Sequence, residues 1–574
     1  MAERADGEGW PLRAWGLALL GAVVGLAIHL LLRGSGPAHD KPILLALATF
    51  LGVGGIAFAF TFERWRAAWA VIFALVAGLV VASVIFWNGG PGDWDASDGW
   101  RIACAALAVA IAAPLFQVVQ REGRRALPYP AVHDHAWTNV ILWFAAWLFV
   151  GIVWLLALLL GALFDLIGID FLQKALREAV VAATLTGAAF GGAVGLLRER
   201  GRIIALLQRV AMTVLGVLGP VLGAGLVLFL LSLPFTGLAP LWEATKSTTP
   251  ILLACIIGAL ILANAVIGDS PEDEARHPAL RFGAIALGVA MLPLAAIAAV
   301  SVGSRIGQYG LTPSRIWALL FVAIACAYGL AYWAALARRR LGWAAAVRPA
   351  NLALAVGLCV LALLLSTPLI SFGALSTRDQ VARLESGLIA PEKFDWAALA
   401  FDFGPAGHRA LVKLKAGGAT AAIRTKATAA LAAKNRWDLQ NSQRQVAAQA
   451  TFEQRVTILP RRVPLPRDLV DAATSASNCG VGAETCILQY VADGKEAVLV
   501  SIPTCKTCLP TVMTLVRGPK GWGSAFDARA MPLVDDSPRT KRLREAAAKG
   551  EIEVRTVERR QAFIGGEPMG EAFP

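Results

Sequence analysis

The sequence predicts an all-α polytopic membrane bundle of about eleven transmembrane helices, followed by a small α+β soluble domain. Three observations predict this fold class. The 574-residue chain is 57% hydrophobic and only 16% charged, whereas a soluble domain carries about 25% charged residues. Its first two thirds contain eleven apolar runs of about 20 residues, the length that crosses a bilayer. The last third has an ordinary charge content and turn signals typical of a soluble domain.

The apolar runs define the elements of the bundle and the division of the chain. They are predicted at 14–32, 42–61, 67–87, 101–119, 138–164, 178–197, 210–232, 250–268, 281–302, 315–337 and 350–371. The predicted organisation is a transmembrane bundle over 1–375, a helical juxtamembrane segment over 376–437 and a periplasmic α+β domain over 438–574.

Basic residues predict the orientation. Lys and Arg beside the helix ends number 17 on the side of the N-terminus and 8 on the other side. The richer side faces the cytoplasm, so the N-terminus is expected there. An odd number of spans then places the C-terminal domain in the periplasm of a bacterial inner membrane. Because helix ends account for most of the net charge of +13, we expect no nucleic-acid partner.

Ionisable residues are absent from the middle of every run. A proton- or sodium-coupled transporter usually carries ionisable groups near the midplane, so the pattern predicts an apolar core with polar groups near the two interfaces. Small residues four apart, such as Gly187, Gly191 and Gly195, predict close helix packing. That packing is expected inside the bundle, with a homo-oligomer as the alternative.

The polar cluster His133, Asp134 and His135 is the one grouped set of candidate site residues near a predicted interface. We interpret it as a loop before the fifth run. Two histidines around an aspartate could begin a metal site, but further ligands do not follow nearby in sequence. We therefore expect no metal and no cofactor, and the sequence identifies no catalytic residue.

Several segments together resemble the bacterial membrane-protein family called domain of unknown function 4153, over roughly 15–415. The segments are 127–130, 135–139, 308–317, 375–384 and 394–407. The resemblance implies a multi-span inner-membrane protein and supplies no catalytic residue. Within the segments, Thr312 and Pro313 suit a helix start, and Ser376 is predicted to be the N-cap of a further helix.

The C-terminal domain shows strand patterns after a helical spacer. Strand-like runs lie at 486–491, 497–502, 511–517 and 523–530, and 551–564 is predicted to form edge strands. A short helix is expected to start at 465–468. Another is expected over 539–549, with Ser537 and Pro538 at its start and Gly550 at its end.

This domain has four cysteines within a stretch of 30 residues: Cys479, Cys486, Cys505 and Cys508. In an oxidising compartment, such a cluster indicates disulfides. Pairing Cys479 with Cys486 and Cys505 with Cys508 closes two short loops and is favoured, although the other two pairings remain open. A zinc site in a cytosolic domain and a redox pair at Cys505 and Cys508 also remain open.

The function class follows only coarsely from these patterns. We favour an uncharacterised, non-enzymatic integral inner-membrane protein that displays a periplasmic module for interaction or assembly. The expected partners are the lipid bilayer and an envelope protein that binds the C-terminal domain. A transporter or permease for an apolar or lipid-like substrate is the alternative, and a membrane-embedded enzyme is the third hypothesis.

Overall fold

The computed structural model contains two compact units, Met1–Arg424 and Thr425–Pro574. The residues it describes are 12–33, 41–90, 94, 96–122, 127–238, 248–440, 452, 454, 456–460, 465–476, 479, 484–490, 495–519, 521–524, 537–553, 560–564 and 567–573.

The first unit is a helical bundle, and its described residues contain the predicted eleven helices long and apolar enough to cross a membrane. A short helix, α6 (Phe171–Arg177), separates the fifth from the sixth of them. The eleven are α1 (Leu12–Leu32), α2 (Pro42–Thr61), α3 (Ala67–Asn88), α4 (Ala96–Glu122), α5 (Tyr129–Asp165), α7 (Ala179–Glu199), α8 (Gly201–Thr236), α9 (Thr248–Ile267), α10 (Pro278–Tyr309), α11 (Pro313–Arg339) and α12 (Trp343–Ser366).

Four helices, α4, α5, α8 and α12, begin five or more residues before their apolar runs. The start of α5 shows the reason, because Pro128 is extended and Pro130 occupies the first helical turn, where its missing N–H costs nothing. The polar residues that follow continue the helix outside the apolar region. Hydropathy marks the part of a helix that lies in lipid and not the helix itself.

Glycines determine how closely α1 and α7 approach. A Cβ atom on Gly21 would overlap the carbonyl oxygen of Gly187, and one on Gly191 would overlap that of Leu17. Gly223 of α8 similarly faces the backbone of α10, where its Cβ would lie 3.0 Å from the Gly283 oxygen. The four-residue spacing therefore serves packing within this chain.

The interior of the bundle is apolar. Its largest cluster of buried side chains comes from α8 to α12 and centres on α10, where Leu287, Met291 and Leu294 are fully buried. Buried polar side chains such as Gln117, Arg348 and Gln380 lie nearer helix ends. Because lipid cannot hydrogen-bond to polar groups, these positions leave the core to van der Waals packing.

Three further helices follow the last span: α13 (Phe372–Glu385), α14 (Gly404–Gly417) and α15 (Ala421–Ala432). The N-cap of α13 is Ser371, whose hydroxyl accepts a hydrogen bond from the Ala374 N–H. The prediction of Ser376 as the N-cap was wrong, since Ser376 lies fully buried inside the helix. The helix extends one turn further towards the membrane span than its polar pattern indicated.

The second unit contains a five-stranded sheet in the order β1-β2-β3-β4-β5. β1 runs parallel to β2, and the remaining neighbours are antiparallel. A separate hairpin pairs β6 with β7. The strands are β1 (Val456–Leu459), β2 (Thr485–Tyr490), β3 (Glu496–Ile502), β4 (Thr511–Gly518), β5 (Gly521–Ser524), β6 (Arg560–Ile564) and β7 (Glu567–Phe573).

Most elements of the second unit match the sequence pattern. Two helices, α16 (Arg467–Ala476) and α17 (Pro538–Lys549), lie where turn and cap residues predicted them. Ser537 caps α17 by accepting from the Thr540 N–H, and Gly550 ends it in the left-handed conformation. The predicted strand residues 491 and 525–530 and the predicted edge-strand residues 554–559 lie outside the described residues, and 551–553, also predicted as edge strand, form no strand.

Candidate functional site

His133, Asp134 and His135 lie in the first turns of α5 and not in a loop. The loop prediction was wrong because the helix continues beyond the apolar run. Successive helical residues point in different directions, about 100° apart, so the three side chains contact different neighbours. Among the described residues, no group of three His, Cys, Asp or Glu side chains has the arrangement of a metal site.

His133 points into the bundle. Its imidazole packs against Tyr129 and Trp137, with ring centroids 5.4 and 6.4 Å away. Both ring nitrogens are buried and make no hydrogen bond to the described residues. Arg348 of α12 lies close enough to interact electrostatically with this ring. The histidine therefore lies near Arg348 with its ring packed between aromatic side chains.

Arg348 is the most buried cation of this region, with 6% of its surface exposed. Its guanidinium donates to the carbonyl oxygens of Ile267 at 2.5 Å, Ser270 at 2.9 Å and Gly268 at 3.4 Å. It also reaches Glu274 Oε2 at 3.4 Å. Ile267 is the last residue of α9, so its carbonyl has no further helical turn to satisfy it, and Gly268 and Ser270 belong to the segment that follows. Arg348 thus caps α9 from α12.

Two asparagines extend this network along α9, α11 and α12. The Asn351 amide donates to Asn264 Oδ1 at 2.7 Å and to the Tyr332 hydroxyl at 3.3 Å. Tyr332 is completely buried. Because a buried polar side chain is costly without partners, these three side chains fix the relative position of three helices.

Asp269 follows α9 and lies beside the same network. Burial, followed by a hydrogen bond with Asp273, raises the pKa of Asp269 above its usual value. The charged carboxylate is therefore disfavoured at this position. Glu274 of the same network contacts both Arg348 and Arg281, each at 3.4 Å.

His135 and Asp134 belong to a second network at the same end of the bundle. The ring of His135 lies within electrostatic range of Arg121, Glu63 and Arg198, and Asp134 accepts from Gln208 Nε2 at 3.4 Å. Arg121 and Glu63 form an ion pair at 2.9 Å. The three consecutive residues of α5 therefore join two polar networks. We call this end, where α1 begins, the basic end.

Gln117 of α4 completes the second network. Its amide nitrogen donates to the Phe60 carbonyl at 2.8 Å, and its oxygen accepts from the Asn139 amide at 2.9 Å. Asn139 lies one turn after His135 on α5. These bonds tie α2, α4 and α5 together with side chains, as the first network ties α9, α11 and α12.

A third network lies at the opposite end, between α13 and the turn from α10 to α11. Asp379 accepts from the Leu311 N–H at 2.7 Å. Gln380 donates to the Tyr309 and Leu311 carbonyls at 2.8 and 3.0 Å, and Arg383 donates to the Ile306 carbonyl at 3.1 Å. α13 therefore caps the end of α10. Sequence reasoning missed this contact, although both segments carry the family resemblance.

The turn at this third network requires glycine and an N-cap. Gly310 has a φ of 75°, and a Cβ there would lie 2.5 Å from Gln380 Nε2. Thr312 accepts from the Arg315 N–H at 3.4 Å and caps α11, as its position before Pro313 predicted. We call the three side chains that bind this turn, Asp379, Gln380 and Arg383, the α13 clamp.

In the second unit, Cys479 pairs with Cys486 and Cys505 pairs with Cys508. This is the pairing that the two short loops favoured. The Cys505–Cys508 loop connects antiparallel strands β3 and β4 and does not begin a helix as in a thioredoxin-like motif. Arg544 of α17 donates to the Cys508 and Pro503 carbonyls at 2.8 and 2.7 Å, which holds the loop against the helix.

The bundle and its polar helix ends define a multi-pass membrane protein. The chain belongs to the family described as "Domain of unknown function (DUF4153)", which matches residues 46–411 and therefore most of the helical unit. The predicted resemblance is confirmed. Comparison with curated proteins and with solved structures gave no match.

Proposed function

We propose that the protein is a non-enzymatic inner-membrane protein whose bundle displays a periplasmic docking module. The observation that supports this function is the use of the polar side chains. Arg348 and the α13 clamp bind backbone carbonyls at helix ends, while the core between them is apolar. Such groups hold a rigid bundle together, whereas a coupled transporter places ionisable groups near the midplane.

Two features support a periplasmic location for the second unit. The basic end carries Arg338, Arg339 and other loop arginines, and such ends face the cytoplasm. After eleven crossings the chain emerges on the other side. Disulfides persist in oxidising compartments such as the periplasm, and the second unit has two.

The docking surface we propose is the edge of the sheet at β5. This strand has four residues, Gly-Trp-Gly-Ser, and pairs with β4 along one side. A cavity of about 340 Å³ lies beside it, lined by Gly518, Gly521 and Gly523. Glycines at an edge strand leave room for an added strand, which binds through main-chain hydrogen bonds. The expected partner is an extended segment of an envelope protein.

Site-specific photocrosslinking in living cells tests this proposal. A photoreactive residue replaces Gly523, where a Cβ has open space. The matched control carries it at Lys541, an exposed position on α17 of the same unit. We expect a discrete adduct from position 523 and none from 541. Equal labelling from both positions, or no adduct from 523 in cells that express the protein normally, contradicts a docking edge.

One observation favours transport of an apolar or lipid-like substrate as a second function. A cavity of about 490 Å³ lies among α1, α2, α5 and α7. Vesicles that contain the purified protein and a fluorescent phospholipid distinguish the two functions. Lipid movement between leaflets faster than in empty vesicles indicates transport, and the docking function predicts no acceleration.

A further inference from the structure

The cavity among α1, α2, α5 and α7, here called the glycine cavity, has a volume of about 490 Å³. That volume lies within the roughly 300–1,000 Å³ typical of ligand sites. Its walls are glycines and apolar side chains, including Gly25, Gly52, Gly55 and Trp147. The one hydroxyl in the lining, that of Thr186, already accepts from Trp154 Nε1 at 3.0 Å. The cavity therefore suits hydrocarbon.

Two arginines lie next to the cavity at the basic end. Ala59 lines the cavity, and its carbonyl accepts from Arg198 Nη1 at 2.9 Å. Arg13 Nη2 donates to the carbonyl of Phe62, three residues further along, at 2.6 Å. Arg13 and Arg198 are close enough to interact electrostatically. The apolar cavity thus ends at a pair of like charges.

These arginines keep hydrogen-bonding capacity for a ligand. Neither forms an ion pair with a described carboxylate, although Glu63, which pairs with Arg121, and Glu199 lie within electrostatic range of Arg13. Arg13 Nε is buried and has no hydrogen-bond partner among the described residues. A guanidinium has five N–H donors in a planar fork that matches phosphate oxygens. The pair therefore offers charge complementarity to a phosphate.

Position in the membrane selects the kind of phosphate. Arg13 is the second residue of α1, and Arg198 is the penultimate residue of α7, so both lie at the depth of lipid headgroups. Trp15 and Trp65 are 77% and 81% exposed near the same end, as expected of an interfacial aromatic belt. A molecule with an anionic phosphate and a hydrocarbon chain matches the arginines and the cavity together.

We propose that the glycine cavity binds one acyl chain of an anionic phospholipid and that Arg13 and Arg198 hold its phosphate. The site does not depend on the docking function of the second unit. It explains why a Cβ built on Gly52 would have a single neighbour within 4 Å, Ile28 Cδ1 at 3.6 Å.

Lipid binding to the full-length, detergent-purified protein tests the proposal. Phosphatidylglycerol and phosphatidylcholine with the same acyl chains are titrated separately, and binding is followed by native mass spectrometry. We expect phosphatidylglycerol to bind at least about tenfold more tightly, since both lipids carry a phosphate but the choline ammonium of phosphatidylcholine cancels the net negative charge that the two arginines attract. Equal affinity for the two lipids overturns the proposal. The comparison uses the unmodified protein, so it does not depend on whether a variant folds.

Variants separate the two parts of the site. The double change R13Q and R198Q is expected to remove the preference for phosphatidylglycerol. The matched control R202Q, at an exposed arginine of the same end, is expected to keep it. A preference that survives the double change overturns the role of the arginines, as does an equal loss in R202Q.

A third variant, Gly52→Leu, fills the cavity and leaves the arginines intact. We expect it to reduce phosphatidylglycerol binding at least about tenfold, whereas Gly151→Leu, at a position with open space on α5, leaves binding unchanged. Inorganic phosphate is added as a competitor. If millimolar phosphate displaces the lipid, or Gly52→Leu binds it normally, the site is one for a free anion and the proposal is wrong.

Discussion

Arg348→Met removes the cap that joins α12 to α9. The guanidinium makes two good hydrogen bonds, at 2.5 and 2.9 Å, and two longer contacts, at 3.4 Å. A hydrogen bond to a charged group contributes about 1.5–3 kcal/mol, and loss of one partner from a buried charged network costs about 3–5 kcal/mol. Methionine keeps the apolar stem of the side chain. We therefore expect the free energy of unfolding to fall by about 3–5 kcal/mol.

The assay is reversible unfolding of the full chain in mixed micelles, followed by circular dichroism and a tryptophan fluorescence probe. Arg339→Met, at an exposed arginine of the same end, is the matched control and should change stability by less than about 0.5 kcal/mol. Arg348→Lys should have an intermediate free energy of unfolding, because an ammonium keeps the charge but lacks the planar set of N–H donors of a guanidinium. If the free energy of unfolding of Arg348→Met lies within about 1 kcal/mol of that of the wild type, Arg348 is not the cap of α9.

Three other changes test separate parts of the bundle. Gly310→Ala should destabilise by more than about 1 kcal/mol, because φ is positive and a Cβ would contact the α13 clamp, whereas Gly303→Ala, which meets open space, should not destabilise. Asp269→Asn should raise the unfolding temperature at pH 7. Because folding raises the pKa of Asp269, its ionised carboxylate destabilises the folded state at pH 7. The gain from the substitution should vanish below about pH 4, where the carboxyl is protonated in both the folded and the unfolded chain. Gly21→Leu should separate α1 from α7 and lower the unfolding temperature, whereas Gly16→Leu, which faces open space, should have little effect.

Each of these changes has an outcome that contradicts its reasoning. Gly310→Ala as stable as Gly303→Ala would show that the turn tolerates a side chain. If Asp269→Asn still raises the unfolding temperature by the same amount at pH 3, the gain does not come from ionisation of the carboxyl group. Equal effects of Gly21→Leu and Gly16→Leu would place the close α1–α7 contact elsewhere.

The membrane spans were predictable because each one satisfies its backbone hydrogen bonds locally and needs only about 20 apolar residues. The early start of α5 was not predictable, because hydropathy does not show whether a helix continues into a polar region. This is why His133 and its neighbours were expected in a loop.

The polar networks were less predictable than the helices. Arg348 binds carbonyls about 80 positions earlier in the chain, and hydrophobic periodicity carries no information about such a pair. The α13 clamp left a weak signal, because the segments 308–317 and 375–384 both carry the family resemblance. β1 was missed because four residues pair in parallel with a strand about 30 residues later, which leaves no hairpin signal.

The state of the cysteines in cells tests the periplasmic display most directly. Cells are lysed in denaturant with an alkylating reagent, and the unreduced chain is digested and analysed by mass spectrometry. A periplasmic second unit predicts disulfide-linked peptides for Cys479–Cys486 and Cys505–Cys508, with alkylated thiols at the four cysteines of the spans, which are unpaired in the structure. Eight alkylated thiols, or zinc that copurifies with the four cysteines of the second unit, would place that unit in the cytosol and contradict the proposed function.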